Sequence, residues 1–145
     1  MAQPEIYFVR HGQTDWNAEY RFQGQRDIPI NATGRQQAAR NGEKLRELLA
    51  EPTRYDFIAS PLARTRETMS IIRQELGLPV NTYATDDRLK EIHYGDWEGH
   101  TAVELNSNYP ELMGEREINK FNFVTPSGES YAMLLARVLS WLTYI

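Results

Sequence analysis

Apolar runs and amphipathic stretches alternate along this chain, and each change in their spacing predicts a new element of secondary structure. Residues 6–10 and 56–60 predict two β-strands, and residues 80–83 predict a short third strand. Stretches with apolar residues at helical spacing separate the three strands. This alternation favours an α/β fold, in which a parallel sheet carries helices on both faces.

Two helices are predicted between the strands. The first covers residues 33–50 and begins at Thr33, whose hydroxyl can cap the first turn. The second begins at Pro61 and ends at Gly77, which Pro79 follows as a stop signal. The residues that these helices should turn inward are Ala38, Leu45, Leu48 and Leu49 in the first and Leu62, Thr65, Met69, Ile72 and Leu76 in the second.

The last third of the chain predicts two more helical regions. Residues 101–120 are polar and predict one short helix with irregular cover. A helix follows Gly128, with Ser127 and Ser130 as its capping region. Its wide apolar stripe consists of Tyr131, Leu134, Leu135, Val138, Leu142 and Ile145. Such a stripe has to be buried against another surface.

Composition limits the class of protein. The 145 residues, 41% of them hydrophobic, suffice for the core of one domain over residues 1–145. A net charge of −4 argues against nonspecific binding of nucleic acid. The chain has no cysteine, no leader of the secretory type and no apolar run of the roughly twenty residues that a membrane span needs. We therefore expect a cytoplasmic protein that binds neither nucleic acid nor membrane.

The residues that can carry chemistry are concentrated in four motifs. The first comes directly after the first predicted strand, where open α/β sheets bind their ligands. In chain order the motifs are Arg10-His11-Gly12 with Thr14, Trp16 and Asn17; Arg21 with Gln23 and Gly24; Ser60-Pro61-Leu62 with Arg64 and Thr68; and Leu89 and Glu91 with Gly95, Trp97, Glu98 and Gly99.

These motifs, in this order, resemble those of the histidine phosphatase superfamily, also called the phosphoglycerate mutase-like family. The segment from Pro126 to Ser130 resembles the P-x-G-E-S sequence that opens a helix in the family, so the resemblance covers nearly the whole chain. It implies a three-layer α/β fold with a mostly parallel sheet. It also implies phosphoryl transfer through a phosphorylated histidine.

His11 is the candidate nucleophile. A neutral imidazole has to attack phosphorus, and neighbouring cations would keep that ring unprotonated. Arg10 and Arg64 can do this, and their guanidinium groups can also bind phosphoryl oxygens in pairs. The resemblance assigns the same roles to these three residues. It adds contacts with phosphate or substrate at Asn17, Gln23 and Gly24.

Glu91 is the candidate general acid, because a leaving alkoxide needs a proton and a carboxyl group beside a phosphate has a raised pKa. The resemblance makes the same assignment, whereas Glu98 matches a residue that orders the loop. We expect no metal ion and no cofactor, since His93 and His100 lie seven positions apart without cysteine or closely spaced carboxylates. The tryptophans Trp16, Trp97 and Trp141 are expected to serve packing.

Basic residues gather near the motifs although the chain is acidic overall. They are Arg10, Arg21, Arg26, Arg35, Arg64 and Arg66. This distribution predicts a positive pocket for a small phosphorylated substrate or inorganic phosphate. Arg26, Arg35 and Arg66 fit equally well as ordinary surface residues.

The chain departs from the family in one respect. Family members carry a second histidine, in a His-Gly motif at the end of a strand after the Gly-Glu-Ser helix, whereas no histidine follows His100 here. We therefore expect the C-terminal part of the family's domain to be missing. Because the first strand would then lack a neighbour and expose an apolar edge, we expect an impaired monomer or a homodimer that covers it.

Three functions stay open on the sequence. The short segment between Gly99 and Ser130, without a large insertion, favours a phosphomonoesterase that hydrolyses a small phosphorylated metabolite and is weakly active or inactive in this shortened form. The first alternative is phosphoryl transfer of the phosphoglycerate mutase type. The second alternative is a phosphate-binding remnant without catalysis.

Overall fold

The computed structural model describes residues 5–145. Within that range it contains six α-helices and two short β-strands. These are α1 (Asp15–Ala18), α2 (Ala32–Leu48), β1 (Ile58–Ala59), α3 (Ala63–Glu75), β2 (Ala84–Thr85), α4 (Ala102–Asn108), α5 (Pro110–Ile118) and α6 (Tyr131–Leu142). Three turns of 3₁₀-helix lie between them, at Pro52–Arg54, Asp87–Leu89 and Gly95–Trp97.

The two strands pair in parallel, with Ile58 opposite Ala84 and Ala59 opposite Thr85. Helix α3 connects them, so the predicted α/β class with parallel strands is confirmed. The predicted third strand over residues 80–83 is wrong in position. Those residues form a turn after Pro79, and Ala84 is the residue whose N–H donates to the Phe57 carbonyl at 3.0 Å.

The predicted strand over residues 6–10 is not formed. Within residues 5–145 this segment makes no backbone hydrogen bond to any neighbour, and a strand exists only through such bonds. Its side chains are exposed, Phe8 to 76%. Together with β1, α2 and α3, the segment borders an apolar cleft of about 700 Å³ that Trp141 and Ile145 also line.

Helices α2 and α3 pack against each other. Thr33 is not the cap of α2, because the helix starts earlier and the Asn31 side chain accepts from the Gly34 N–H at 2.9 Å. Leu48 is 52% exposed and was wrongly assigned to the inner face. The residues that do line the interface core are Leu45, Leu49 and Ile72, with Tyr55 and Leu76 partly buried beside them.

Helix α3 starts at Ala63, two residues after the predicted start, and ends before Gly77 as predicted. Gly77 has a φ of 69°, a left-handed conformation that suits glycine. The buried face of α3 is not wholly the predicted one, because Arg64 and Thr68 are among its most buried side chains. Polar residues therefore point inward where the site is built.

A second core lies under the last third of the chain. It is formed by Ile92, Tyr94, Trp97, Leu105 and Met113, with partly buried Phe22, Leu112, Phe123, Tyr131 and Leu134 around them. The single helix predicted over residues 101–120 is in fact two helices, α4 and α5, which meet at Tyr109 because Pro110 starts a new helix there.

Helix α6 begins at Ser130, whose hydroxyl accepts from the Met133 N–H at 3.2 Å. The predicted apolar stripe is only partly buried, since Leu135 is 45% and Ile145 55% exposed. Trp141 is the helix residue that becomes buried. Among residues 5–145, no helix combines the length and apolarity needed to cross a lipid bilayer.

Candidate active site

A cavity of about 260 Å³ brings together residues from four separate parts of the chain. It lies where the 6–13 segment, the start of α1, the N-terminus of α3 and the segment after Asp87–Leu89 meet. Its lining residues are Arg10, His11, Asn17, Ser60, Leu62, Arg64, Thr65, Leu89 and Glu91. All four residues predicted to be catalytic therefore face one space.

The imidazole of His11 is held in one orientation. Its Nδ1 lies 2.6 Å from the carbonyl oxygen of Gly12, and because a carbonyl only accepts, Nδ1 carries the proton in the neutral ring. The lone pair then belongs to Nε2. Burial lowers the pKa of His11 below its ordinary 6.5, and the charges of Arg64 and Arg10 lower it further, against the opposing effect of the Gly12 contact. The ring is thus neutral near neutrality.

Gly12 fixes the backbone beside this ring. Its N–H donates to the Thr68 hydroxyl at 3.0 Å, and that hydroxyl donates to the Arg64 carbonyl at 2.7 Å. A Cβ at Gly12 would stand 2.7 Å from the carbonyl carbon of Gly34, at the start of α2. The glycine is required for the close packing of two backbones.

Arg64 is fully buried and its guanidinium is held rigidly. Nη1 donates to the Arg26 carbonyl at 2.8 Å, and Nη2 donates to the Gly24 carbonyl at 2.6 Å and to Glu91 Oε2 at 2.8 Å. Its Nε is buried and has no partner within residues 5–145. An unpaired buried donor of this kind costs about 1–3 kcal/mol, which an added acceptor would recover.

Glu91 pairs with Arg64 from the opposite wall of the cavity. Burial raises the pKa of its carboxyl group above the ordinary 4.5, and this outweighs the opposing effect of the Arg64 ion pair. A carboxyl group that holds its proton to higher pH is suited to donate it near neutrality. The structure thus gives Glu91 the environment of an acid.

The three predicted substrate contacts are placed differently. Asn17 lines the cavity, and its Oδ1 accepts from the Thr14 N–H at 3.0 Å in a capping box that begins α1. Gln23 is 2% exposed, and its Oε1 accepts a hydrogen bond from the Thr14 hydroxyl. It does not line the cavity. Gly24 offers its carbonyl to Arg64. In this structure Gln23 and Gly24 support the wall from behind.

Of the six arginines that were predicted to form a positive pocket, two line the cavity, Arg10 and Arg64. Arg21 is engaged with Glu19, Glu104 and the Gly99 carbonyl, and the other three are exposed. Residues 5–145 contain no group of three or more histidine, cysteine, aspartate or glutamate side chains that could hold a metal ion.

Sequence reasoning missed two polar residues of the cavity wall, Ser60 and Thr65. Ser60 opens the Ser-Pro-Leu-x-Arg motif and Thr65 directly follows it, and this motif was the available signal. Thr65 donates its hydroxyl to the Ser60 carbonyl at 2.6 Å and so holds the motif's turn together. Glu98, interpreted as a loop-ordering residue, has a carboxylate that accepts from the backbone N–H groups of Gln25 and Tyr94 at 2.9 and 3.2 Å.

Curated proteins of similar sequence include phosphatases and mutases. The chain is 41% identical over 107 residues to a protein named uncharacterized phosphatase PhoE, from Bacillus subtilis (strain 168), covering 73% of this chain and 51% of the relative. It is 44% identical over 134 residues to probable phosphoglycerate mutase GpmB of Salmonella paratyphi C (strain RKS4594), covering 92% of this chain and 59% of the relative. The chain therefore spans little more than half the length of these relatives.

Solved structures show the same fold. Bacillus stearothermophilus YhfR superposes with a TM-score of 0.77 at 33% identity, over 93% of this chain and 63% of that one. A mycobacterial glucosyl-3-phosphoglycerate phosphatase, Rv2419c, in a complex with VO3, gives a TM-score of 0.76 at 29% identity, over 92% and 63%.

The family profile agrees with the motifs and with the structural likeness. The profile of the histidine phosphatase superfamily (branch 1) matches residues 6–145, almost the entire chain. The residues predicted from the motifs meet at one cavity in a fold shared with YhfR. The chain belongs to the histidine phosphatase superfamily, branch 1.

Proposed function

We propose that this chain carries the site of a phosphomonoesterase that hydrolyses a small phosphorylated metabolite through a phosphohistidine intermediate. The supporting observation is the single cavity in which His11, Arg64 and Glu91 meet, with the Nδ1 of His11 tied to a carbonyl. A cavity of about 260 Å³ suits a phosphoryl group with a small substituent better than a polymer.

In the first step the Nε2 lone pair of His11 attacks phosphorus, and the P–N bond forms as the P–O bond to the alcohol breaks. Glu91, in its protonated form, gives its proton to the leaving alkoxide. Arg64 and Arg10 compensate the charge on the non-bridging oxygens, where most of the rate acceleration of phosphoryl transfer arises.

In the second step water attacks the phosphohistidine. The Glu91 carboxylate, left ionised by the first step, takes a proton from that water, and the P–N bond breaks. Inorganic phosphate leaves with neutral His11 and protonated Glu91 restored. Asn17 is proposed as a substrate contact, while Gln23 and Gly24 act by supporting the wall that holds Arg64.

The experiment is phosphate release from a panel of sugar phosphates and nucleotides by the chain, with His11→Ala as the inactive control. Hydrolysis that depends on His11 is the expected result. The first alternative, a phosphoglycerate mutase activity, is kept because relatives named GpmB match 92% of the chain. Isomerisation of 3-phosphoglycerate without phosphate release from the panel would replace the phosphatase proposal by this alternative.

A function of another class is anion binding without turnover. It is motivated by Arg10 and Arg64, which line the cavity and can bind an anion without any bond being broken. Calorimetry with phosphate and vanadate separates the two functions. Binding without hydrolysis supports anion binding without turnover. Hydrolysis that is abolished in His11→Ala rejects it.

We also propose that the chain associates with a second copy. The exposed apolar side chains of Ile6, Tyr7, Phe8 and Val9 border the apolar cleft of about 700 Å³. An extended segment without strand partners is prone to pair with another chain. The cytoplasmic location and the absence of nucleic-acid and membrane binding stay predictions from the sequence.

A further inference from the structure

Arg137, on helix α6, uses every N–H bond of its guanidinium group. Nη1 donates to the carbonyls of Arg88 and Lys90 at 2.7 and 2.6 Å, and Nη2 donates to the carbonyl of Glu91 at 2.9 Å. Nε and Nη2 donate to the two oxygens of Glu129, both at 3.0 Å. A side chain from a helix remote in the sequence thus holds three backbone carbonyls between residues 88 and 91.

Glu129 holds the backbone that follows Glu91. Its Oε2 accepts from the His93 N–H at 2.9 Å, and its own N–H donates to the His93 carbonyl at 2.7 Å. The carbonyls of Arg88, Lys90 and Glu91 and both backbone groups of His93 are therefore fixed by the Glu129–Arg137 pair. The ion pair is partly buried, with about one fifth of each side chain exposed, so screening by solvent is reduced.

The side chain of Glu91 points away from this clamp and into the cavity. The Glu91 carboxylate lies 2.8 Å from Nη2 of Arg64. The backbone carbonyl of Glu91, which Arg137 also holds, accepts from Gln25 Nε2 at 3.1 Å. Residues 90–93 lie outside the regular helices and strands, so the backbone beside Glu91 is held by side-chain contacts, chiefly those of Arg137, Glu129 and Gln25. Geometry within about 0.5 Å matters for a group that transfers a proton.

We infer that Arg137, braced by Glu129, is the positioning residue that aims the carboxyl group of Glu91 at the leaving group. Among residues 5–145, the hydrogen bonds of Arg137 reach the lining of the cavity through the backbone of Glu91, and so it acts through that residue. The inference rests on the proposed function for its chemical meaning. The hydrogen bonds of Arg137 do not depend on that function.

The test is Arg137→Lys, which keeps the positive charge and loses the planar fork. Arg88→Lys is the matched control, because Arg88 also ties this segment to α6, through Ser140 at 3.2 Å, without contacting Glu91. A proton donor matters most when the leaving group is poor. We expect Arg137→Lys to lower kcat/KM on glycerol phosphate about tenfold or more, and to change kcat/KM on 2,4-dinitrophenyl phosphate less than about threefold. The ratio kcat/KM covers only the steps up to loss of the alcohol, so it omits the second step, in which Glu91 acts as a base. Arg88→Lys should leave both rates near those of the unmodified chain.

Two further measurements complete the design. The double variant Glu91→Gln with Arg137→Lys should lose little more than Glu91→Gln alone, because both changes remove one function. Equal losses on both substrates, or losses that multiply in the double variant, would show a merely structural role and overturn the inference.

A crystal structure of the Arg137→Lys variant decides the inference even without turnover. The inference requires that the Glu91 carboxylate leave its position 2.8 Å from Arg64 Nη2. A carboxylate found unmoved overturns it. If the unmodified chain hydrolyses no substrate, the proposed phosphatase function fails by itself, and the variant structure still decides whether Arg137 positions Glu91.

Discussion

At the scale of single residues, the site depends on two groups whose pKa values burial shifts toward each other. Burial lowers the pKa of His11 below that of a free imidazole and raises the pKa of Glu91 above that of a free carboxyl group. The pH at which His11 loses its proton and the pH at which Glu91 ionises are therefore closer together than in the free groups. No single residue reveals this from the sequence, because the shifts come from burial and from neighbours on other elements.

This pairing predicts the dependence of kcat/KM on pH. Activity should be lost as pH falls through the pKa of His11, below 6.5, because the imidazolium has no lone pair. It should also be lost as pH rises through the pKa of Glu91, above 4.5, because the carboxylate cannot donate. We expect a bell-shaped profile with its maximum on the acid side of neutrality.

The variant Glu91→Gln should lose the alkaline limb of this profile and keep the acid limb. Glu67→Gln, at an exposed ion pair with Arg35, is the control and should keep both limbs. An alkaline limb that persists in Glu91→Gln would assign the proton donor to another group.

At the scale of elements, helix α2 shows how a cap sets the start of a helix. Asn31 accepts from the Gly34 N–H through its side chain and also donates to Gln13 and Asp15 at 3.2 and 3.1 Å. It therefore joins the start of the helix to the loop that follows His11. Thr33, which the sequence favoured, is exposed inside the first turn.

We predict that Asn31→Ala lowers the free energy of unfolding by about 1 kcal/mol or more, since a helix cap and two tertiary contacts are lost. Thr33→Ala, the matched change two residues away, should alter it by less than about 0.5 kcal/mol. Urea unfolding followed by circular dichroism measures both. A larger loss in Thr33→Ala than in Asn31→Ala would contradict the observed cap.

At the scale of the whole molecule, residues 5–145 contain two buried cores and an open apolar cleft. One core lies under α4, α5 and α6, and the other lies between α2 and α3. The second core borders the apolar cleft through Leu45, Leu49 and Ile72, and the 6–9 segment and β1 line the same cleft. Exposed apolar surface of this extent favours association, because burying it releases about 25 cal/mol for each Å².

We predict concentration-dependent association of the chain, which analytical ultracentrifugation would detect. Phe8→Lys, at the rim of the cleft, should shift the equilibrium toward monomer, because a charge there opposes burial. Ile118→Lys is the control, since Ile118 is 88% exposed and does not line the cleft. Equal effects of the two variants would indicate nonspecific aggregation.

The α/β class, the end of α3 at Gly77 and the family could be predicted from the sequence, because they depend on local spacing and on short motifs. The sequence also supplied His11, Arg64 and Glu91 as candidates. Strand formation over residues 6–10 could not be decided locally, since a strand needs hydrogen-bonding partners that only the folded chain provides.

The way in which the site is assembled becomes visible only in the folded chain. Folding placed Gln23 behind the cavity wall, set Gly12 against Gly34, and brought Arg137 to the backbone of Glu91 from 46 positions away in the chain. Burial, the pKa shifts that it causes and the partners of buried polar groups all arise from contacts between distant segments. Local patterns carry no information about such contacts until the chain has folded.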